Sequence, residues 1–227
     1  DSLDVVLNLK ISRHGPIANS LIEGIHQKEP IAMSWVYTQQ PIKILEATYS
    51  LSHAKNVTDF NSHISLIAAP GLNIMYGDAT GNIAWTTFGK LYKQDTGVNT
   101  NFILDGATGK DDVKEYIDFS NNPQALNPSW NYVYSANNQP EAIDGFLYPG
   151  YYLPEDRAKR IFNLLESKNN WTKEDVSKMI TDNISSKSPT IVRNLIASVD
   201  YNSLSENGKK GYSILKSWKG SNELQDV

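Results

Sequence analysis

Residues 72–91 read LNIMYGDATGNIAWTTFGKL. Two runs of alternating apolar residues flank GDATGN, whose Gly, Asp and Asn accept the backbone angles of a tight reversal. The stretch predicts a β-hairpin, and the rest of the chain is read outward from it. Upstream, residues 4–17 carry Val5, Val6, Leu7, Leu9 and Ile11 before SRHGPI, a strand ended by a Gly-Pro break. Residues 30–38, PIAMSWVYT, predict a second strand from their large and branched side chains. Between that strand and the hairpin the period changes. Phe60, Ile64 and Ile67 share one helical face over 56–69, with Thr58 as N-cap and Pro70-Gly71 as the stop.

Downstream, residues 95–129 are rich in Asp, Gly, Asn and Pro and predict a long ordered loop. A strand over 131–136 then leads to Asn137 and Asn138. Beyond Pro149 the periodicity is helical. Residues 154–168 place Ile161, Leu164 and Leu165 on one face, and Thr172 with Asp175 approaches a capping box for 171–184. Further helices are expected over 188–200 and 208–218. The class is α+β, with 1–140 mainly β with one helix and 150–227 mainly α.

At 227 residues with 40% hydrophobic content the chain can bury a real core. A net charge of -4, with Lys209-Lys210 the longest basic run, argues against nucleic acid as a partner. No apolar run approaches the roughly 20 residues of a membrane helix. The absence of Cys removes disulfides, thiolate metal sites and a cysteine nucleophile together. A strand pattern begins almost at Asp1 without an initiator Met or signal peptide, which reads as a piece entered mid-fold.

His14, His26, His53 and His63 form no i, i+4 helical pair and no H-E-x-x-H, so a zinc protease has almost no support. G-x-S-x-G, a phosphate-binding loop and a dinucleotide fingerprint are also absent. His14 beside Gly15 reads as structural, and Asp78 as a turn residue. Asn137 ahead of Pro140 reads locally as a turn, or as a site built on an uncharged amide donor.

Four blocks in order carry more information: SRHGPI (12–17), YGDATGNIAW (76–85), NPSWNYVYSANNQP (127–140) and GYYLPEDRAKRIFNLL (150–165). Together they resemble successive blocks of the penicillin acylase family of N-terminal-nucleophile hydrolases. The resemblance implies that 1–227 is a single fragment of a β chain, part of an αββα four-layer fold with a sheet-rich first half and a helical C-terminal part. It also implies a reaction: a Ser exposed by autocleavage attacks a linear amide, with its own α-amino group as base. That Ser precedes the H-G motif in the family, so the nucleophile is expected to be absent from this chain and the isolated fragment inactive.

By the same resemblance, Asn137 matches the oxyanion-donating Asn of an N-N-x-P motif. Arg157 matches an Arg that organises the active site. Locally Arg157 could equally pair with Glu155 or Asp156, and Arg160 is a rival register. No cofactor or metal is expected, because the main ligands of the family's structural calcium fall elsewhere and Asp144 has no secure match. The implied partners are a small-molecule amide, the α chain and the remainder of the β chain, in the bacterial periplasm or secreted. The alternative is a non-catalytic domain that keeps the fold and binds a ligand or a partner through the 95–129 loop.

Overall fold

In the computed structural model, which describes residues 6, 8–140, 148 and 150–223, GDATGN closes the expected hairpin. The described strands are β1 (Ile11–Ser12), β2 (Gly15–Pro16), β3 (Leu72–Gly77), β4 (Ile83–Phe88), β5 (Tyr92–Lys93), β6 (Glu115–Tyr116) and β7 (Gln124–Leu126). The helices are α1 (Val36–Gln39), α2 (Ile44–Leu51), α3 (Val57–Ile64), α4 (Asp156–Leu165), α5 (Lys173–Ile180), α6 (Ser188–Ile196) and α7 (Glu206–Ser217). They fall into two compact units, one from 1–133 with 140–151 and one from 134–139 with 152–227.

In the first unit β3 and β4 pair antiparallel from Leu72↔Phe88 to Gly77↔Ile83. The turn is held by Asp78, whose carboxylate accepts from Thr80 N, Thr80 Oγ1, Asn82 N, Asn82 Nδ2 and Tyr76 OH. The Thr80 hydroxyl and the Asn82 amide are the main causes that hold the Asp78 carboxyl far below the ordinary range. Ala84, Thr86 and Phe88 of β4 are buried in strict alternation, and Phe88 joins Ala47, Ile64 and Ile67 in a core under α2 and α3. Period two on the strand and period 3.6 on the helices thus meet on one apolar face.

Several expectations are corrected here. The 95–129 stretch is not an uninterrupted loop: it contributes β6 and β7, and β7 completes a three-stranded sheet through Ala84↔Leu126 and Thr86↔Gln124. Three α-helices, not one, precede residue 140 among the described residues. The missed α2 places Ile44, Ala47 and Leu51 at helical spacing. α3 is capped by the Asn56 side chain, which accepts from Asp59 N at 2.9 Å, and not by Thr58. The 30–38 strand shrinks to the Ile17↔Ala32 bridge. The extended preference of Trp35 to Tyr37 yields because Thr38 bonds back to Trp35 O through both N and Oγ1. No ladder forms at 131–136 among the described residues, and Asn131 sits at φ +63, outside the extended region a strand needs. Of the strand expected from residue 4, the described residues 6 and 8–10 lie in no ladder, and pairing begins at Ile11; Asp4, Val5 and Leu7 lie outside the described residues.

β1 and β2 are joined by Arg13 and His14, with Ser12↔Gly15 in register. Gly15 has φ +134, and a Cβ there would lie 2.3 Å from Met33 O. The glycine of the H-G pair is therefore demanded by the backbone. Gly15→Ala is expected to lower stability by about 1–3 kcal/mol, the scale of one strained backbone position, and thermal unfolding measures it.

The second unit holds α4 to α7. The Thr172/Asp175 capping box forms in full at the start of α5, and Pro189 occupies the first turn of α6, where it costs no hydrogen bond. Arg160 grips Asp182 with two parallel bonds, Nε to Oδ1 at 2.8 Å and NH2 to Oδ2 at 2.6 Å. That guanidinium is the main cause lowering the Asp182 pKa, against the opposing effect of burial. A carboxyl with a folded pKa below its unfolded value stabilises the fold above the unfolded pKa, and this contribution is lost as pH falls through the folded one. Asp182→Asn is thus expected to lower the unfolding temperature at pH 7, with the gap to the native chain closing as pH falls through the lowered folded pKa of Asp182, below which both side chains are neutral.

Candidate functional site

Both residues singled out by the sequence lie in the second unit, and the fold brings them into contact. The 134–139 segment carries Asn137 at φ +59, a left-handed angle that Asn tolerates better than other side-chain-bearing residues. Its carbonyl oxygen accepts from Leu153 N at 2.7 Å, so the turn is tied to the chain entering α4. Ala136 just before it is 1% exposed, while Asn137 itself is exposed. The backbone is thereby anchored and the amide presented.

Arg157, in the first turn of α4, reaches back across this turn. Its NH2 donates to Ala136 O at 2.7 Å and to Asn137 Oδ1 at 2.6 Å. An amide whose oxygen is taken by a guanidinium must turn its Nδ2 hydrogens the opposite way. The charge also polarises the amide and strengthens the remaining donor. Among the described residues Nδ2 of Asn137 has no protein acceptor, so the contact leaves an uncharged donor turned away from Arg157. Among the described residues Asn138 has no such guanidinium contact to orient its amide, and its Nδ2 donates to Gln139 O at 3.4 Å.

The local alternatives for Arg157 resolve in the same frame. Glu155 pairs with Lys187 Nζ at 2.7 Å. Asp156 accepts from Ser185 Oγ at 2.9 Å and from Lys187 N at 2.8 Å. Arg160 is committed to Asp182. Among the described residues no carboxylate pairs with Arg157, and its partners are the neutral oxygens of the Asn137 turn.

His14 belongs to the other unit. Its Nε2 lies 2.8 Å from Asp112 Oδ1, and the same carboxylate holds Arg13, whose NH2 reaches Gly106 O at 2.9 Å. Hydrogen bonds from His14 and then Arg13 lower the Asp112 pKa. The pair therefore ties the β1–β2 loop to residues 106–112, as suits a structural histidine. Asp112 went unseen in sequence; its one signal was the Asp pair ending ATGKDD, ninety-odd residues from its partners, and chain distance hid it. Asp144 lies outside the described residues. No group of three or more metal-ligating side chains assembles among the described residues, and no helix there is long and apolar enough to cross a membrane.

Comparison with known proteins gives three findings. The family model described as Penicillin amidase matches residues 1–227. Penicillin G acylase of Escherichia coli is 32% identical over 103 residues, covering 43% of this chain and 12% of that protein. The solved structure of thermostable penicillin G acylase from Alcaligenes faecalis superposes with a TM-score of 0.73 at 19% identity, covering 96% of this chain and 39% of that one. The chain thus spans well under half the length of the relatives it matches, and the structural likeness speaks for the fold alone.

Proposed function

Since the chain belongs to the penicillin amidase family over its whole length, we propose that it is the part of an amide hydrolase that supplies the oxyanion donor. The reading starts from the α+β fold shared with penicillin G acylase. The single observation that carries it is the Arg157–Asn137 contact, which fixes an amide donor in one orientation.

The reaction is acyl transfer to an N-terminal Ser on a part of the protein outside this chain. The Ser hydroxyl adds to the carbonyl of a linear amide while its α-amino group takes the proton; a terminal amine with a pKa of about 8 suits this near neutral pH. The carbonyl oxygen becomes an oxyanion, to which Asn137 Nδ2 donates. Collapse expels the amine, which takes a proton from the α-amino group, and leaves an acyl-enzyme. Water then attacks the ester by the same route, releasing the acid. Arg157 does not touch the substrate in this scheme; it holds the Asn137 amide in register.

The substrate class proposed is an acylated amine such as a penicillin, a cephalosporin or an acyl-homoserine lactone, processed in the periplasm or outside the cell. The α chain and the remainder of the β chain complete the site, so 1–227 alone is expected to be inactive. The test is the intact mass and N-terminal sequence of the complete protein, followed by its turnover of penicillin G and an acyl-homoserine lactone. Two chains, the second starting at Ser, with amide turnover, support the reading. A folded, uncleaved, inactive protein overturns it in favour of a domain that binds without catalysing.

A further inference from the structure

We infer that Asp156 is a positioning residue that sets the angle at which Arg157 meets Asn137. The inference rests on the oxyanion role proposed above and extends it by one layer of structure. α4 begins without help from a cap, because Glu155 at the N-cap position makes no side-chain cap bond. A helix start left that way frays, and a side chain in its first turn would wander with it.

Asp156 supplies the missing restraint from outside the helix. Its Oδ1 accepts from Lys187 N at 2.8 Å and its Oδ2 from Ser185 Oγ at 2.9 Å. Ser185 Oγ also accepts from Ser188 N at 3.0 Å, which locks it to the first residue of α6. Ser185 N donates to Gly220 O at 2.8 Å, and Gly220 holds φ +96 with space for no side chain, since a Cβ would fall 2.2 Å from Ser185 O. Lys187 closes the same junction from the other side by its ion pair with Glu155. The first turn of α4 is thus fastened to the head of α6 and to the turn at residue 220.

Arg157 follows Asp156 directly, and successive side chains leave a helix about 100° apart. Fixing Asp156 toward α6 therefore fixes the direction in which Arg157 departs toward residues 136 and 137. Arg157 needs that support, because both of its acceptors are neutral oxygens and no carboxylate among the described residues clamps it. Burial pushes the Asp156 carboxyl up, but the Lys187 N–H, the Ser185 hydroxyl and the Ser186 N–H together outweigh it, so its pKa is lowered. The two hydrogen bonds and the lowered pKa describe a carboxylate that stays ionised and bonded.

The test uses the complete, processed enzyme with penicillin G, scaled to active sites counted by titration with a sulfonyl fluoride. Asp156→Ala is expected to lower kcat about 10-fold, the scale of coupling within one hydrogen-bond network, with KM within about twofold. In an Arg157→Ala background the same substitution is expected to cost nothing further. Ser185→Ala, which removes one of the two bonds, is the milder variant should Asp156→Ala fail to fold, and it is expected to lose about threefold with the same dependence on Arg157. Equal losses in both backgrounds, or a lowered unfolding temperature with unchanged kcat per active site, would overturn the positioning role. Full turnover by Arg157→Ala itself would instead overturn the reading of the site on which the inference stands.

Discussion

Asn137→Ala in the complete enzyme is expected to lower kcat by about 10²–10³-fold while leaving KM nearly unchanged, the signature of one lost oxyanion donor. The reason is differential binding. The ground-state carbonyl oxygen carries little charge and gains little from one more donor, whereas the tetrahedral oxyanion carries a full charge. An amide already held by Arg157 donates without reorganising, which is where such a group gains over water. Alanine also brings a backbone cost, because position 137 sits at φ +59 and a Cβ-bearing residue without a local hydrogen bond is disfavoured there by about 1–2 kcal/mol. Asn137→Gly separates the two effects. Glycine accepts the angle, so its unfolding temperature should stay near native while its kcat falls as far as that of alanine. Asn137→Asp should be worse than either, since a carboxylate would pair with Arg157 and oppose the forming negative charge. Steady-state kinetics with active-site counting decides, and an unchanged kcat in the glycine variant would return Asn137 to the role of a turn residue.

What the sequence revealed and what it hid divide along a physical line. The hairpin was legible because its alternation and its turn lie within one short stretch, and the α5 capping box because both partners lie three residues apart. The class α+β followed from those local signals. β7 was not legible, since Gln124 to Leu126 owe their strand conformation to β4, and nothing in QAL announces that pairing. The expected strand at 131–136 failed for the converse reason: alternation in Tyr132, Val133 and Tyr134 describes a side-chain pattern, while the left-handed angle at Asn131 decides the backbone. α1 shows the same override, with β-favouring residues folded into a turn by a threonine that bonds backward. At the proposed site, Asn137 and Arg157 were singled out because the order of four motif blocks resembles one family. Their mutual contact could not be read that way. Twenty residues separate them, and among the described residues the Leu153 N–H bond to Asn137 O and the first turn of α4 close that gap. Asp156 was named in sequence only as a rival partner for Arg157, and its commitment to Ser185 and Lys187 emerged from tertiary structure.

Arg157→Ala is expected to lower kcat by about 10- to 100-fold, less than the loss of Asn137 itself. A hydrogen bond to a charged group contributes about 1.5–3 kcal/mol, and each 1.36 kcal/mol of barrier is tenfold in rate. In this chain Arg157 and Asn137 are both exposed, so water competes for their bond and favours the lower end of that range. Without the guanidinium the amide can turn over, and only the fraction of molecules with Nδ2 facing the oxyanion retains the donor. Arg157→Lys should recover part of the rate. An ammonium on a flexible stem can reach Asn137 Oδ1, but it lacks the rigid planar group whose one nitrogen, NH2, here serves Asn137 Oδ1 and Ala136 O together. The decisive comparison is the double variant. If Arg157 acts through the amide alone, Asn137→Ala leaves it nothing to hold, and adding Arg157→Ala should cost less than about twofold more. A full additional 10-fold loss in that background would mean that the guanidinium meets the reacting atoms directly, and Arg157 would then be a catalytic residue in its own right.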